Sequence, residues 1–152
     1  MFDLAAELPR LLPGAIAWAE ARSGEILATG GGLNALGIRL ARSVGVAHPE
    51  RIRVLEVTAM SLPEDPQLRF AALQTGLLGP NIAGLTLGYG IYIIAGHGSN
   101  RLISHECRHV FQYEVAGSIA AFLPVYLHQI ATVGYEHSPL EIDARAHEHD
   151  VA

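Results

Sequence analysis

Residues 105–109 read His-Glu-Cys-Arg-His, and these residue types at this spacing can build most of a hydrolytic metal site on one short stretch of helix. On an α-helix, residues four apart lie on one face a turn apart, so His105 and His109 can aim ring nitrogens at one ion. Zinc (Zn2+) suits imidazole and carboxylate ligands. A catalytic zinc site takes three protein ligands and leaves the fourth position to a water, whose pKa falls to about 7. Glu106, next to the first ligand, can take the proton of that water as general base. The alternative is two histidines and a glutamate on a solvated helix face.

The neighbours of the pentapeptide follow from the same helical geometry. Cys107 lies two residues from each histidine, about 200° round the helix, so its thiol is expected in the core with Ile103 and Val110. Gln112 shares the ligand face and is either an outer partner of the metal ligands or solvated. Arg108 is expected to be exposed or paired with an acid.

Several elements must position this segment. Residues 85–94 alternate as a strand, with Leu85, Leu87, Tyr89, Ile91 and Ile93 on one face and Thr86, Gly88, Gly90 and Tyr92 on the other. Glycine inside a strand lets another backbone come close, so Gly88, Tyr89 and Gly90 are candidate substrate-binding residues on an edge that receives an extended peptide. The competing reading packs this strand under a helix. Ser99 or Asn100 can cap the metal helix, from residue 101 to about 116. Further helices are expected over residues 118–133 and from Ser138-Pro139 onward. Upstream, the pattern predicts a helix over 15–28, a break at Gly30-Gly31-Gly32, an Asn34-capped helix to about Ser43, a strand over 51–58 and a helix over 67–78. The glycine run lacks the spacing of a nucleotide-binding loop. The predicted layout is α+β: a small sheet with an edge strand packed against several helices, in a single domain over residues 1–152.

Composition narrows the partners. Half of the residues are hydrophobic and 16% are charged, which argues against disorder and leaves apolar surface that allows a homodimer. A net charge of -5 with scattered arginines offers no basic patch, so no nucleic-acid partner is expected. The single cysteine excludes an intramolecular disulfide, and a cytoplasmic location is the expectation. Asp3 and Glu7 stand where a signal peptide carries positive charge. Residues 115–135 hold no Asp, Glu, Lys or Arg, but Gly117, Ser118, Pro124, His128 and Gln129 interrupt them. Two buried helices are expected there, and no membrane span.

The third ligand must come from downstream, where His128, Glu136, His137, Glu141, Asp143, His147, Glu148 and His149 are available. Glu141 falls in the first turn of a predicted helix, and the small Ala144 would let that helix cross the metal helix closely. Ser138-x-x-Glu141 equally fits a capping box, in which the carboxylate bonds its own helix start. Asp143 can orient a ligand histidine from outside, since ligating imidazoles usually donate their other N–H to a carboxylate. The charged end, His147-Glu148-His149-Asp150, is expected to be solvated.

Over residues 85–146 the chain resembles the gluzincin metallopeptidases, particularly the small single-domain minigluzincins, through the strand, His105-Glu106-x-x-His109 and the later Glu141-x-x-Ala144. The resemblance implies a zincin-like fold with zinc held by His105, His109 and Glu141. It also implies Glu106 as base and a peptide or protein substrate laid antiparallel along the strand before the metal helix. The span from His109 to Glu141 is longer than in the tightest gluzincin sites, so the intervening apolar helix must be accommodated. Amide hydrolysis also needs an oxyanion donor, for which Tyr135 and His137 are the candidates, with Tyr113 and Tyr126 behind them. The expected function is zinc-dependent peptide hydrolysis. The alternatives are a catalytically silent zinc-binding or protein-interaction module and a metal-dependent hydrolase of a non-peptide substrate.

Overall fold

The computed structural model describes residues 2–150. Helix α1, Leu4–Thr29, starts well before residue 15, with the Asp3 carboxylate accepting from the Ala6 N–H at its first turn. Pro9 and Pro13 lie inside it. Being four residues apart they share one face, which is exposed, so water can serve the carbonyls they leave free. Strand β1 (Gly31–Gly32) and helix α2 (Ala35–Ser43) follow, the helix capped by the Asn34 side chain, which accepts from Gly37 N–H at 2.9 Å. After a 3-10 turn at Pro49–Arg51 come β2 (Arg53–Val57) and α3 (Pro66–Gln74). Then come β3 (Gly84–Leu87), β4 (Gly90–Ile94), α4 (Asn100–Ala116), α5 (Ile119–Val133) and α6 (Pro139–Ala146).

The expected α+β class therefore holds: six α-helices and a mixed four-stranded sheet in the order β1-β2-β4-β3, among the described residues. β2 and β4 are parallel, joined by the crossover through α3, and the other pairs are antiparallel. The single strand expected over 85–94 is instead a hairpin. Gly88 takes φ +68°, and Gly88-Tyr89 form a two-residue turn that brings Leu87 opposite Gly90. The turn changes which residues share a face. Leu85 lies opposite Tyr92 and Thr86 opposite Ile91, so Leu85 and Leu87 no longer point the same way as Ile91 and Ile93.

The core has two parts, one on each face of the sheet. Ile91 and Ile93 pack with Ala41 of α2, Val44 just beyond its end, and Cys107 and Val110 of α4. Tyr92 and Leu87 pack on the other face with Ala19 and Ile26 from α1 and Phe122, Leu123 and Leu127 from α5. α4 is buried on more than one side: Ser104, His105, Glu106, Cys107, His109 and Val110 are all withdrawn from solvent. Its apolar stripe reaches the sheet as expected, while its histidines face α6. Gly117, at φ +98°, ends α4 and Ser118 caps α5, a sharp corner of 116° between the two. No helix among the described residues is long and apolar enough to cross a membrane; α4 and α5 meet that test only as this bent pair.

Candidate metal centre

Three side chains from two helices converge. His105 and His109 project from successive turns of α4, and Glu141, only 2% exposed, projects from the first turn of α6. Ligand atoms of the three lie within 4.8 Å of one another, and this group could hold a metal ion. His105 Nε2 is 3.3 Å from Glu141 Oε1, and His109 Nε2 is 3.0 Å from Glu141 Oε2. Ligands about 2.1 Å from a tetrahedral zinc stand about 3.4 Å apart, and the two histidine-to-carboxylate separations, 3.3 and 3.0 Å, are close to that spacing. The capping-box alternative for Glu141 fails. Ser138 makes no side-chain cap; its hydroxyl donates to Tyr135 C=O at 3.1 Å, and Glu141 turns away from its own helix start. Ala144 is fully buried where α6 crosses α4, the close packing its small side chain permits.

The outer partners fix which ring nitrogen faces Glu141. His109 Nδ1 lies 2.7 Å from Gln112 Oε1, while the Gln112 amide donates at 2.9 Å to both Leu140 C=O and the Asp143 carboxylate. With its N–H groups so used, Gln112 offers oxygen to His109. The imidazole therefore carries its proton on Nδ1 and turns Nε2 inward. His105 Nδ1 lies 2.7 Å from Glu148 Oε2, which imposes the same choice on the other ring. Asp143 acts at one remove: it does not touch a ligand histidine but anchors Gln112 and pairs with Arg108 at 2.8 Å. The segment over residues 147–150, expected to be solvated, is tied across the start of α4. Ser104 Oγ accepts from His149 N–H at 3.0 Å, and Asn100 donates to Asp150 C=O at 3.1 Å. That clasp delivers Glu148.

Two carboxylates, Glu106 and Glu141, are buried beside the two imidazoles, and a buried charge needs a partner of opposite sign. Burial opposes charge on His105, yet its bond to Glu141 and the charges of Glu106 and Glu141 outweigh it and carry its pKa up to about 9. The same balance raises His109. Burial likewise opposes ionised Glu141, but hydrogen bonds from His105, His109 and Tyr126 hold it well below the usual carboxylate range. Cys107 is fully buried, and burial followed by the charge of Glu106 pushes its thiol up to about 12, as befits a core thiol outside the ligand set.

Glu106 stands beside this group. Thr86 Oγ1 donates to its Oε1 at 2.7 Å and also lies 3.1 Å from its backbone C=O, so β3 holds the carboxylate in place. A Cβ on Gly84 would come 2.9 Å from Glu106 Oε2, so only glycine leaves that oxygen its position. Glu106, His109 and Glu141 line one end of a cavity of about 120 Å³, together with Tyr126 and Tyr135.

The remaining sequence candidates are distributed differently. Tyr126 donates to Glu141 Oε2 at 2.7 Å and so holds a ligand carboxylate. Tyr135 lies on the cavity wall, where burial and then the charge of Glu141 raise its phenol pKa. His137 is exposed and is no part of that wall. Gly88 and Tyr89 form the hairpin turn rather than a strand edge, and Tyr89 donates to Glu114 at 2.7 Å. Gly90 is buried in β4, an interior strand, with Ile26 against its Cα. The outer strand beside the site is β3, whose Gly84 and Thr86 sequence reasoning passed over. Their signal was weak: one small and one β-branched residue on the strand preceding a metal helix. Comparison with protein-family models, with curated proteins and with solved structures finds no match for this chain.

Proposed function

We propose that this chain is a zinc-dependent hydrolase of amide bonds, of the gluzincin kind, acting on peptides. The observation that carries the reading is Glu141 facing the Nε2 atoms of both histidines while Glu106 stands free of them on the wall of the adjoining cavity. A site that served the fold alone would need no separate carboxylate at its open side.

His105, His109 and Glu141 would hold the ion. When bound, zinc would acidify a water and polarise the substrate carbonyl. Glu106 accepts the proton of the attacking water at Oε2, because Oε1 is occupied by the Thr86 hydroxyl, and returns it to the leaving nitrogen. Tyr135, on the same wall, donates to the oxygen that gains negative charge. Tyr126 keeps the Glu141 carboxylate aimed between the two imidazoles. Substrate backbone lies along β3, the outer strand of the sheet.

Glu106→Gln tests the reading. The variant should keep zinc near one equivalent and cleave a diverse peptide library at least about 100-fold more slowly, the usual worth of a positioned base. Undiminished cleavage by the variant would sink this mechanism. Zinc binding without cleavage by either protein would favour a silent zinc module.

A further inference from the structure

The cavity beside the metal centre is polar at one end only. That end carries Thr86, Glu106, His109, Tyr126, Tyr135 and Glu141. Beyond it the wall is almost wholly hydrocarbon, contributed by α1, α3, β3 and α5 and the turn around Leu77 and Ile82. Along α1 alone the lining runs from Leu4 to Ala19, a rise of about 22 Å. Small residues keep the space open: Ala15 and Ala19 on α1, Ala71 and Ala72 on α3, and Gly84 on β3. Protein interiors are otherwise packed as densely as organic crystals, so an apolar space lined over this length that opens onto ionisable groups calls for a guest.

The chemistry of the wall identifies the guest. A peptide brings an N–H and a C=O with every residue, and away from the edge of β3 the apolar wall offers them no partners. One side chain would reach only part of a lining spread over about four turns of α1. An unbranched hydrocarbon chain meets both conditions, with its single polar group at the polar end. Resting on the hydrolase reading above, we propose that the cavity takes the acyl chain of a long-chain N-acyl amide, such as the fatty-acyl cap of a peptide. In the reaction the oxygen of water bonds to the acyl carbon, the C–N bond breaks, and the amine leaves with the proton that Glu106 returns. The products are a fatty acid and a free amine.

Trp18, the chain's one tryptophan, lines the cavity and reports on its contents. ω-Bromododecanoic acid added to the metal-free protein should quench Trp18 fluorescence by contact, whereas ω-bromobutanoic acid at the same concentration should not. Across a series of such acids, affinity should tighten by about fourfold for each methylene until the space is full. Ala72→Leu and Ala15→Leu, each of which narrows the cavity away from the metal ligands, should weaken dodecanoic acid by about tenfold or more while zinc content is unchanged. Should one of them fold poorly, the other and the length series still decide. In the zinc-loaded protein, kcat/KM for N-acylglycine amides should climb with chain length in parallel. Quenching that is absent or independent of length overturns the proposal whatever zinc does. Length-dependent binding in a protein that neither holds zinc nor cleaves amides would uphold the chain site and remove the hydrolase reading instead.

Discussion

Glu148→Ala removes the carboxylate that accepts from His105 Nδ1 at 2.7 Å without touching a group that would meet the metal. Loss of such an outer partner usually weakens metal binding by 10–100-fold, or about 1.4–2.7 kcal/mol. Glu148 is part-exposed, with 24% of its side chain accessible, so water can take its place on Nδ1. The lower end of that range, about tenfold, is therefore expected. The ion pair between Glu148 and Arg101, 3.5 Å apart with Arg101 largely exposed, contributes little, and Arg101→Ala should leave zinc affinity unchanged. Gln112→Ala, which strips the equivalent partner from the more deeply buried His109, should fall toward 100-fold, because water cannot reach that nitrogen as easily. The assay is competition for zinc with a chromogenic chelator, with circular dichroism to verify folding. Ser104→Ala adds a further test. Ser104 reaches the metal only by holding the segment that carries Glu148, so the double variant with Glu148→Ala should bind zinc no more weakly than Glu148→Ala alone. Zinc affinity within twofold of the parent for Glu148→Ala would refute this account of how His105 is aimed, as would strict additivity in the cycle.

Two further outcomes follow from the geometry. Gly84→Ala puts a Cβ 2.9 Å from Glu106 Oε2 and must displace the carboxylate proposed as base, so kcat should drop by about tenfold or more with zinc content intact; an unaltered kcat would show that this oxygen has no fixed place. The pH prediction uses the raised His105. Its folded pKa of about 9 stands above the ordinary 6.5, so the stabilisation it gives the metal-free protein is complete below 6.5 and is lost as pH rises through about 9. Glu141, held low, contributes above its ordinary 4.5 and loses that contribution as pH falls. Zinc replaces the imidazole protons, so the rise in Tm that zinc produces should grow between pH 6.5 and 9, with protons released on binding. A zinc-induced Tm shift that stays flat over that interval would contradict the proton count.

The sequence alone determined whatever depends on neighbours along one element. Helical spacing put His105 and His109 on one face and Cys107 behind them, and Ser99 and Asn34 announced their helices by local capping chemistry. Gly117-Ser118 likewise split an apolar run that could have been read as one span. Two decisions needed the third dimension. Gly88 could belong to a strand interior or to a turn, since glycine tolerates both, and only the pairing of Leu85 with Tyr92 across the hairpin settles it. Glu141 could cap its own helix or face α4. Both are short-range options for a carboxylate, and the choice fell to burial beside two imidazoles and the Tyr126 hydroxyl, which come from other elements. The partners of the centre were the least legible. Glu148 reaches His105 through a clasp between Ser104 and His149, and Thr86 reaches Glu106 across a strand-to-helix contact. Hydrogen bonds between residues far apart in the chain leave no periodic mark, because periodicity records the face a residue turns to its own element and not the element that later covers it.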